Sequence, residues 1–259
     1  MAARMGNNSW PLVALLDRHV RAIDQRLLEA WEHSKDPTAR REISLAGLAN
    51  LLAWLGWLRA SELFGLRWCD VTLVSGMKAA EYDLPPGVGA LLLRLAPETK
   101  SERGHSVDVP IAYQTKSGLK AGVWFERALD AHHGLRNPSD TARIFSNPSG
   151  TPWTSHFFRH SFVYPMLATM AVEGDAHLRP YYAQGIDSLA SAFYSLHSWR
   201  RGARTHVARL RGRHHTRLAS PEEIYEHARW RRKRGSEAID VLYKELPLYD
   251  RLAITLLCM

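Results

Sequence analysis

One stretch rich in Leu, Ala and Trp, residues 42–68 (EISLAGLANLLAWLGWLRASELFGLRW), constrains the fold more than any other part of the chain. Its apolar spacing predicts two helices, the first ending near Trp57 and the second starting near Ser61. Residues 91–111 instead show two apolar segments on either side of a polar turn, which is the pattern of a β-hairpin. The sequence therefore predicts an α+β fold that is mostly helical and contains one small antiparallel sheet.

The first 40 residues predict a helical lead-in to this domain. Apolar residues recur at helical spacing over residues 10–31, and the segment HSKDPT then interrupts the pattern. We divide the chain into a lead-in with its linker, residues 1–40, and a main domain, residues 41–259. Within the main domain, residues 118–134 predict a helix that ends at Gly134. Two more helices are predicted from Ser188 and over residues 236–246.

Basic residues are concentrated in the last quarter of the chain. The 259 residues carry 34 Lys and Arg against 26 Asp and Glu, a net charge of +8. Net charge alone is equally compatible with a basic protein that has no polyanionic partner. Clustering of Arg and Lys over residues 200–234 favours a nucleic-acid-binding surface. The residues that we expect to contact DNA are Arg201, Arg204, Arg229, Arg231, Arg232, Lys233 and Arg234.

Cysteine use and hydropathy argue against several classes of protein. Cys69 and Cys258 provide neither a disulfide framework nor the spacing of metal ligands, which favours a reducing compartment. The first ten residues lack the apolar core of a signal peptide, and no apolar run reaches the roughly 18 to 20 residues of a membrane span. We expect an intracellular protein without a membrane partner.

Two separate segments carry residues suited to binding a phosphate. In Leu58-Arg59-Ala60-Ser61-Glu62-Leu63, Glu62 follows Arg59 by three residues, so that its carboxylate can orient the guanidinium. His197 and Arg200 are also three residues apart, on one face of a predicted helix. Either segment alone is more simply explained as an ordinary surface arginine or a structural histidine.

Three further residues are candidates for the same site only because of the order in which they follow the other motifs along the chain. Lys100 lies in the turn of the predicted hairpin, Trp230 follows the basic run, and Tyr243 lies on the last predicted helix. A lysine in a turn is usually solvated, and a tyrosine on an amphipathic helix usually packs in a core.

Together these motifs resemble the tyrosine recombinase (phage integrase) family. The family's first arginine motif is similar to residues 58–70, and its lysine hairpin to Thr99-Lys100 followed by Val109-Pro110-Ile111. The family's His-x-x-Arg box is similar to residues 197–205. Arg229-Trp230 matches the position that holds His or Trp, and Tyr243 takes the place of the nucleophile. The resemblance covers residues 42–246.

The resemblance implies a tyrosine-recombinase catalytic fold and site-specific DNA cleavage and rejoining through a 3′-phosphotyrosyl intermediate. Arg59 and Arg200 would bind the phosphate, His197 would assist proton transfer and Lys100 would protonate the leaving oxygen. Trp230 would donate its indole N–H near the phosphate. No cofactor is implied. The expected partner is double-stranded DNA, bound by a homotetramer in the nucleus or nucleoid during recombination or integration of a mobile element.

Several departures from the family pattern leave alternatives open. The interval between Arg59 and His197 is long, which predicts an insertion within residues 171–190, and extra basic residues separate Trp230 from Tyr243. Tyr249 is therefore a second candidate nucleophile. The family's DNA-clamping domain is absent or reduced to residues 1–40. A type IB topoisomerase-like enzyme and an inactive DNA-binding protein remain alternatives, and the apolar tail could dock on a neighbouring subunit or on its own domain.

Overall fold

A computed structural model describes residues 13–95, 107–135, 138–182, 194–213, 227 and 248–257. These residues are mostly helical and include a three-stranded antiparallel sheet, as the α+β prediction requires. No helix within these ranges is long and apolar enough to cross a membrane. The helices are α1 (Asp17–His33), α2 (Pro37–Leu55), α3 (Ala60–Gly65), α4 (Met77–Glu81), α5 (Ala121–His133), α6 (Ser155–Phe158), α7 (Tyr164–Val172), α8 (Arg179–Tyr182), α9 (Leu196–Arg213), α10 (Leu248–Arg251) and α11 (Ala253–Leu257).

Helix α2 lies at the centre of the fold, and α1, α5 and α9 pack around it. Its residues are buried without interruption from Ser44 to Leu55, which explains the apolar density of this segment. Helix α2 begins at Pro37, within the segment that the sequence assigned to the lead-in and its linker. The Asp36 carboxylate accepts hydrogen bonds from the N–H groups of Thr38 and Ala39, at 3.1 and 3.2 Å. An N-cap Asp followed by Pro is a strong start signal for a helix.

Helix α1 starts later than its apolar spacing predicts. Residues 13–16 are not helical, because Leu15 is used in a tertiary contact: its N–H donates to the Ser198 carbonyl oxygen of α9 at 3.1 Å. From Asp17 onward, α1 buries Val20, Ile23 and Leu27 in the same hydrophobic core as α2. The described part of the lead-in therefore packs directly on α2 and α9.

The predicted hairpin is confirmed as two strands of the sheet. Strands β1 (Val71–Val74), β2 (Ala90–Leu95) and β3 (Val107–Ala112) lie in that order, and Leu95 of β2 pairs with Val107 of β3. Helix α5 ends at Gly134, also as predicted. The connection that contains Lys100, the start of the helix predicted from Ser188 and the whole helix predicted over residues 236–246 lie outside the described residues.

The C-terminal helices α10 and α11 pack on the sheet of their own chain. Leu248, Leu252 and Leu256 join a small apolar cluster with residues of the sheet. The Thr255 hydroxyl accepts a hydrogen bond from the Ala112 N–H of β3 at 3.0 Å. The sequence left open whether this tail docks on a neighbouring subunit or on its own domain. In the structure it packs on its own domain.

A buried histidine connects α1 to the turn after α7. His19 is fully buried; its Nδ1 accepts from the Leu16 N–H, so its Nε2 carries the proton and donates to Asp175 at 3.1 Å. Burial lowers the pKa of His19 to about 4, although Asp175 opposes this. The Arg18 guanidinium holds the pKa of the Asp175 carboxyl well below its usual range.

We predict that this histidine makes the protein less stable in mild acid. As the pH falls from 6.5 to about 4, the unfolded chain binds a proton at His19 and the folded protein does not, so the free energy of unfolding falls. The expected contribution between pH 7 and pH 5 is about 2 kcal/mol. Chemical denaturation at both pH values should show a weaker pH dependence in His19→Gln. An NMR titration placing the His19 pKa near 6.5 would contradict this.

The non-helical residues before α1 approach α9 closely at Gly202. A Cβ atom at Gly202 would lie 1.9 Å from the Leu15 carbonyl oxygen, a backbone atom that cannot move aside without displacing residues 13–16. The same Cβ position would lie 2.9 Å from the ring of Trp54 in α2, so α9 is packed closely against α2 here as well.

We predict that Gly202→Ala destabilises the fold by about 1–3 kcal/mol, the range for overpacking in a core. The matched control is Gly65→Ala at the end of α3, where a Cβ atom would meet no atom within 4 Å. That control should change the free energy of unfolding by less than about 0.5 kcal/mol. Equal effects of the two substitutions in chemical denaturation would show that the close approach is not a constraint.

Candidate active site

The loop between α2 and α3 has an unusual backbone conformation at Trp57. Its φ is +49°, and it is one of two non-glycine residues with positive φ in the described ranges. Positive φ is rare for a bulky residue and costs of order 1–3 kcal/mol, which surrounding contacts must offset. The Trp57 side chain is fully buried, and its carbonyl oxygen accepts a hydrogen bond from Arg200 Nη1 at 2.8 Å. The strained residue thus provides an acceptor for a buried guanidinium.

Arg59 follows in the same loop and is held by Glu62. The Glu62 carboxylate accepts from the Arg59 backbone N–H at 2.6 Å and from Arg59 Nη1 at 2.7 Å. The side chain of Glu62 is 3% exposed and that of Arg59 is 26% exposed. The carboxylate therefore fixes both the backbone and the guanidinium of Arg59 at the start of α3, while part of the Arg59 side chain stays accessible to solvent.

His197 and Arg200 lie on the first turns of α9 and differ in exposure. Arg200 is buried and directed at Trp57, whereas His197 is exposed. The pKa of His197 is lowered by partial desolvation and by the positive charges of Arg200, Arg59 and Arg201. His197 is therefore close enough to the loop arginine and to the helix arginine to interact electrostatically with both. Its imidazole is neutral at pH 7 and able to accept a proton.

The first turns of α9 are connected to the core by a series of side-chain hydrogen bonds. Trp199 Nε1 donates to Asn50 Oδ1 in α2 at 2.9 Å, and Asn50 Nδ2 donates in turn to the Val20 carbonyl of α1 at 3.2 Å. Ser195 Oγ accepts from the His197 N–H at 3.2 Å, which satisfies an amide at the helix start. These bonds fix the helix that carries His197 and Arg200 relative to α2.

A residue that sequence reasoning missed, His227, lies at the same end of α2. Its Nε2 donates to the carbonyl oxygen of Leu55, the last residue of α2, at 2.6 Å. Its ring packs edge-on against Trp57, with 4.9 Å between ring centroids. The last carbonyls of a helix lack intrahelical partners and carry partial negative charge, which favours a donor such as His227 at this position. The available signal was a histidine three residues before Trp230.

The exposed face of α9 continues this site with further cations. Leu196, Trp199, Ala203 and Val207 are buried at helical spacing, whereas Arg201 and Arg204 are exposed on the same face as His197. The sequence of α9 contains six arginines and no acidic residue. The face is therefore suited to a polyanion that lies along the helix next to His197.

The structure thus brings together Arg59, Glu62, His197 and Arg200. Tyr249, the alternative nucleophile, lies on α10 with 37% exposure. The remaining sequence candidates lie outside the described residues: Lys100, Trp230, Tyr243, Arg229, Arg231, Arg232, Lys233 and Arg234. Within the described part of the chain, no group of three or more His, Cys, Asp or Glu side chains could hold a metal ion.

Comparison with known proteins gives no match: no protein-family model and no curated protein sequence matches the chain. The chemistry that the site can perform therefore has to be judged from the arrangement of its side chains. Two guanidinium groups of different exposure and a neutral imidazole lie at the end of one helix. This set can bind a phosphate through charge-assisted hydrogen bonds and can transfer a proton beside it.

We predict that the fold depends on the negative charge of Glu62. Glu62→Gln replaces one oxygen by an amide that cannot accept, and one Arg59 donor loses its partner. The free energy of unfolding should fall by about 2 kcal/mol. Glu81→Gln, on the exposed face of α4, is the control and should have an effect below about 0.5 kcal/mol. Similar unfolding curves for both variants would mean that the Glu62 carboxylate does not hold Arg59.

Proposed function

We propose that the protein is a tyrosine recombinase that cleaves and rejoins DNA through a 3′-phosphotyrosyl intermediate. The observation that carries the proposal is the 2.8 Å hydrogen bond from Arg200 Nη1 to the Trp57 carbonyl oxygen, which holds the helix with His197 and Arg200 against the loop that carries Arg59. These arginines are far apart in the sequence, and neither motif alone predicts that they meet. Their meeting at the end of α2 supports the family resemblance better than the motifs do singly.

The described architecture is compatible with the fold of that family. The antiparallel pair β2–β3 flanks the connection that contains Lys100, as a lysine hairpin requires. The proposed fold is the tyrosine-recombinase catalytic fold, with the phosphate site at the junction of α2, α3 and α9. Residues 1–40 could then be a remnant of a DNA-clamping domain.

The proposed reaction transfers a phosphoryl group without a cofactor. The Tyr243 hydroxyl oxygen forms a bond to the phosphorus, the bond from phosphorus to the 5′ oxygen breaks, and the total number of phosphate esters is unchanged. His197, neutral at pH 7, accepts the phenolic proton, and Lys100 supplies a proton to the 5′ oxygen. A 5′ hydroxyl of a second strand then reverses the steps, so that no ATP is needed.

Positive charge in the site stabilises the transition state of this reaction. Arg59 and Arg200 donate to the non-bridging oxygens, whose charge is spread over the equatorial plane during transfer. A guanidinium has five N–H donors, so the bond from Arg200 to Trp57 is compatible with a phosphate contact. Glu62 keeps Arg59 in place for the same phosphate.

The family position for His or Trp has two candidates in this chain. Trp230 remains the one that the sequence indicates, and His227 is added because it contacts the loop that carries Arg59. The two residues would have different roles: His227 packs on Trp57 and supports the loop, and Trp230 would donate its indole N–H to the phosphate.

Double-stranded DNA is the proposed partner, bound along the exposed arginines of α9 and the basic run that follows it. Each Lys or Arg that neutralises a phosphate releases a counterion, so binding should weaken steeply with salt. Assembly into a homotetramer is proposed from the family resemblance alone, because α10 and α11 pack on their own sheet. A DNA-associated location in the nucleus or nucleoid follows from the same proposal.

The experiment combines covalent trapping with a relaxation assay. A library of nicked duplexes with a randomised core is incubated with the protein, and DNA that stays attached after denaturation is recovered and sequenced. A recombinase should enrich one sequence, whereas a topoisomerase-like enzyme should react with little preference and relax supercoiled plasmid as a monomer. An inactive DNA-binding protein should bind the library without forming an adduct.

We predict that Tyr243→Phe abolishes the covalent adduct and leaves DNA affinity unchanged, because the ring is retained and only the attacking oxygen is removed. Tyr249→Phe is the matched control and should form the adduct at the wild-type rate. Gel electrophoresis of end-labelled DNA under denaturing conditions provides the measurement. Adduct formation by Tyr243→Phe, or its loss in Tyr249→Phe, would overturn the assignment of the nucleophile.

A further inference from the structure

Another His-x-x-Arg sequence of the chain, His156-Phe157-Phe158-Arg159, directly precedes α7 and makes contacts different from those of His197 and Arg200. It spans α6 and a π-helical turn, Arg159–Val163, that leads into α7. Single π-helical turns are rare in proteins, but those that do occur are often found at functional sites. The ring of His156 lies beside that of His160, with 3.9 Å between centroids.

Three protein acceptors hold the Arg159 guanidinium. Its Nε donates to the Ser155 carbonyl oxygen at 3.0 Å, and its Nη1 donates to the Tyr164 hydroxyl at 2.7 Å and to the Tyr194 carbonyl oxygen at 2.8 Å. The Tyr164 hydroxyl itself donates to the Tyr194 carbonyl at 2.6 Å. One backbone carbonyl thus accepts from two side chains of the α6–α7 segment.

That carbonyl lies directly before the helix of the candidate active site. Ser195 comes next, and α9 begins at Leu196. The Ser198 hydroxyl accepts from the Ser195 N–H at 3.1 Å, and Ser195 Oγ accepts from the His197 N–H. The position of the Tyr194 carbonyl therefore determines where the first turn of α9 begins, and with it the position of His197.

We propose that Arg159 and Tyr164 are positioning residues for His197: they clamp the Tyr194 carbonyl and so set the first turn of α9 against the loop that carries Arg59. The inference rests on the proposed function, since it assigns these residues a part in the same phosphate site. Neither residue needs to touch DNA.

A direct role of Arg159 in binding phosphate is less compatible with the contacts. Its Nε and Nη1 donate to the Ser155, Tyr164 and Tyr194 oxygens, and the positive charges that act on His197 are those of Arg200, Arg59 and Arg201. Burial raises the pKa of Tyr164 despite the neighbouring guanidinium. The phenol therefore stays protonated at neutral pH, and both donors to the Tyr194 carbonyl persist over the working range of such an enzyme.

The experiment uses three variants of the full chain and one control. Arg159→Met removes the donors, Arg159→Lys keeps one cationic donor, and Tyr164→Phe removes only the hydroxyl. Arg179→Met, at an exposed position of α8, removes the same charge without touching Tyr194. Each protein is measured by NMR titration of His197, by DNA affinity and by the rate of covalent adduct formation on the enriched duplex.

If the clamp positions His197, Arg159→Met should raise the pKa of His197 toward its ordinary value, because the imidazole leaves its partly desolvated place near Arg59. Adduct formation should slow by about 10- to 100-fold, the effect of a small misplacement of a reacting group. DNA affinity should stay within about twofold of that of Arg179→Met, because the loss of charge is the same. Tyr164→Phe should change the same quantities less, and Arg159→Lys should partly restore them.

The outcomes separate this inference from the proposed function. Failure of the wild-type protein to form an adduct would overturn the function, and the His197 titration would still decide on the clamp. An unchanged His197 pKa in folded Tyr164→Phe and Arg159→Met would overturn the clamp. Should Arg159→Met not fold, Tyr164→Phe decides, since it keeps the ring and the guanidinium. A gain in adduct formation in either variant would also overturn the proposal.

Discussion

The C-terminal end of α2 and the loop that follows it provide the acceptors on which the candidate site depends. Arg200 donates to Trp57 and His227 donates to Leu55, across 143 and 172 positions of sequence respectively. Helix α2 is buried along most of its length, so its end is fixed by the core, and the groups that bind there take a fixed position too. The strained backbone of Trp57 is retained because burial of its side chain and the contact with Arg200 offset the cost.

This arrangement explains how one site can combine a strong positive charge with a neutral histidine. Arg200 is buried, and Arg59 is half-buried and paired with the Glu62 carboxylate. His197 is exposed beside them, and the positive charges around it disfavour its protonation. An incoming phosphate would reverse that effect, because its negative charge favours the imidazolium. The site therefore makes His197 a weak base when empty and a stronger one when the phosphate is bound, which suits a group that must accept a proton during the reaction.

Local patterns in the sequence were sufficient for much of the fold, and tertiary contacts account for the rest. Two apolar segments on either side of a polar turn predicted β2 and β3, and Gly134 predicted the end of α5. The three-residue spacing of Arg59 and Glu62 predicted their ion pair. The start of α1 was missed because Leu15 bonds to Ser198, a contact that has no local signal. His227 was missed for the same reason, since its partner is a backbone carbonyl of a distant helix, and Trp57 gave no sign of its positive φ. Predictions for Lys100, Trp230 and Tyr243 stay predictions.

In the proposed function, Arg59, His197 and Arg200 bind one phosphate of the DNA backbone. A crystal structure of the protein with a duplex, selected from the randomised library, would show this contact. We expect both guanidinium groups and the His197 imidazole within about 3.2 Å of oxygens of the same phosphate, a hydrogen-bonding distance. A structure in which these side chains contact different phosphates, or in which the DNA lies away from the end of α2, would contradict it.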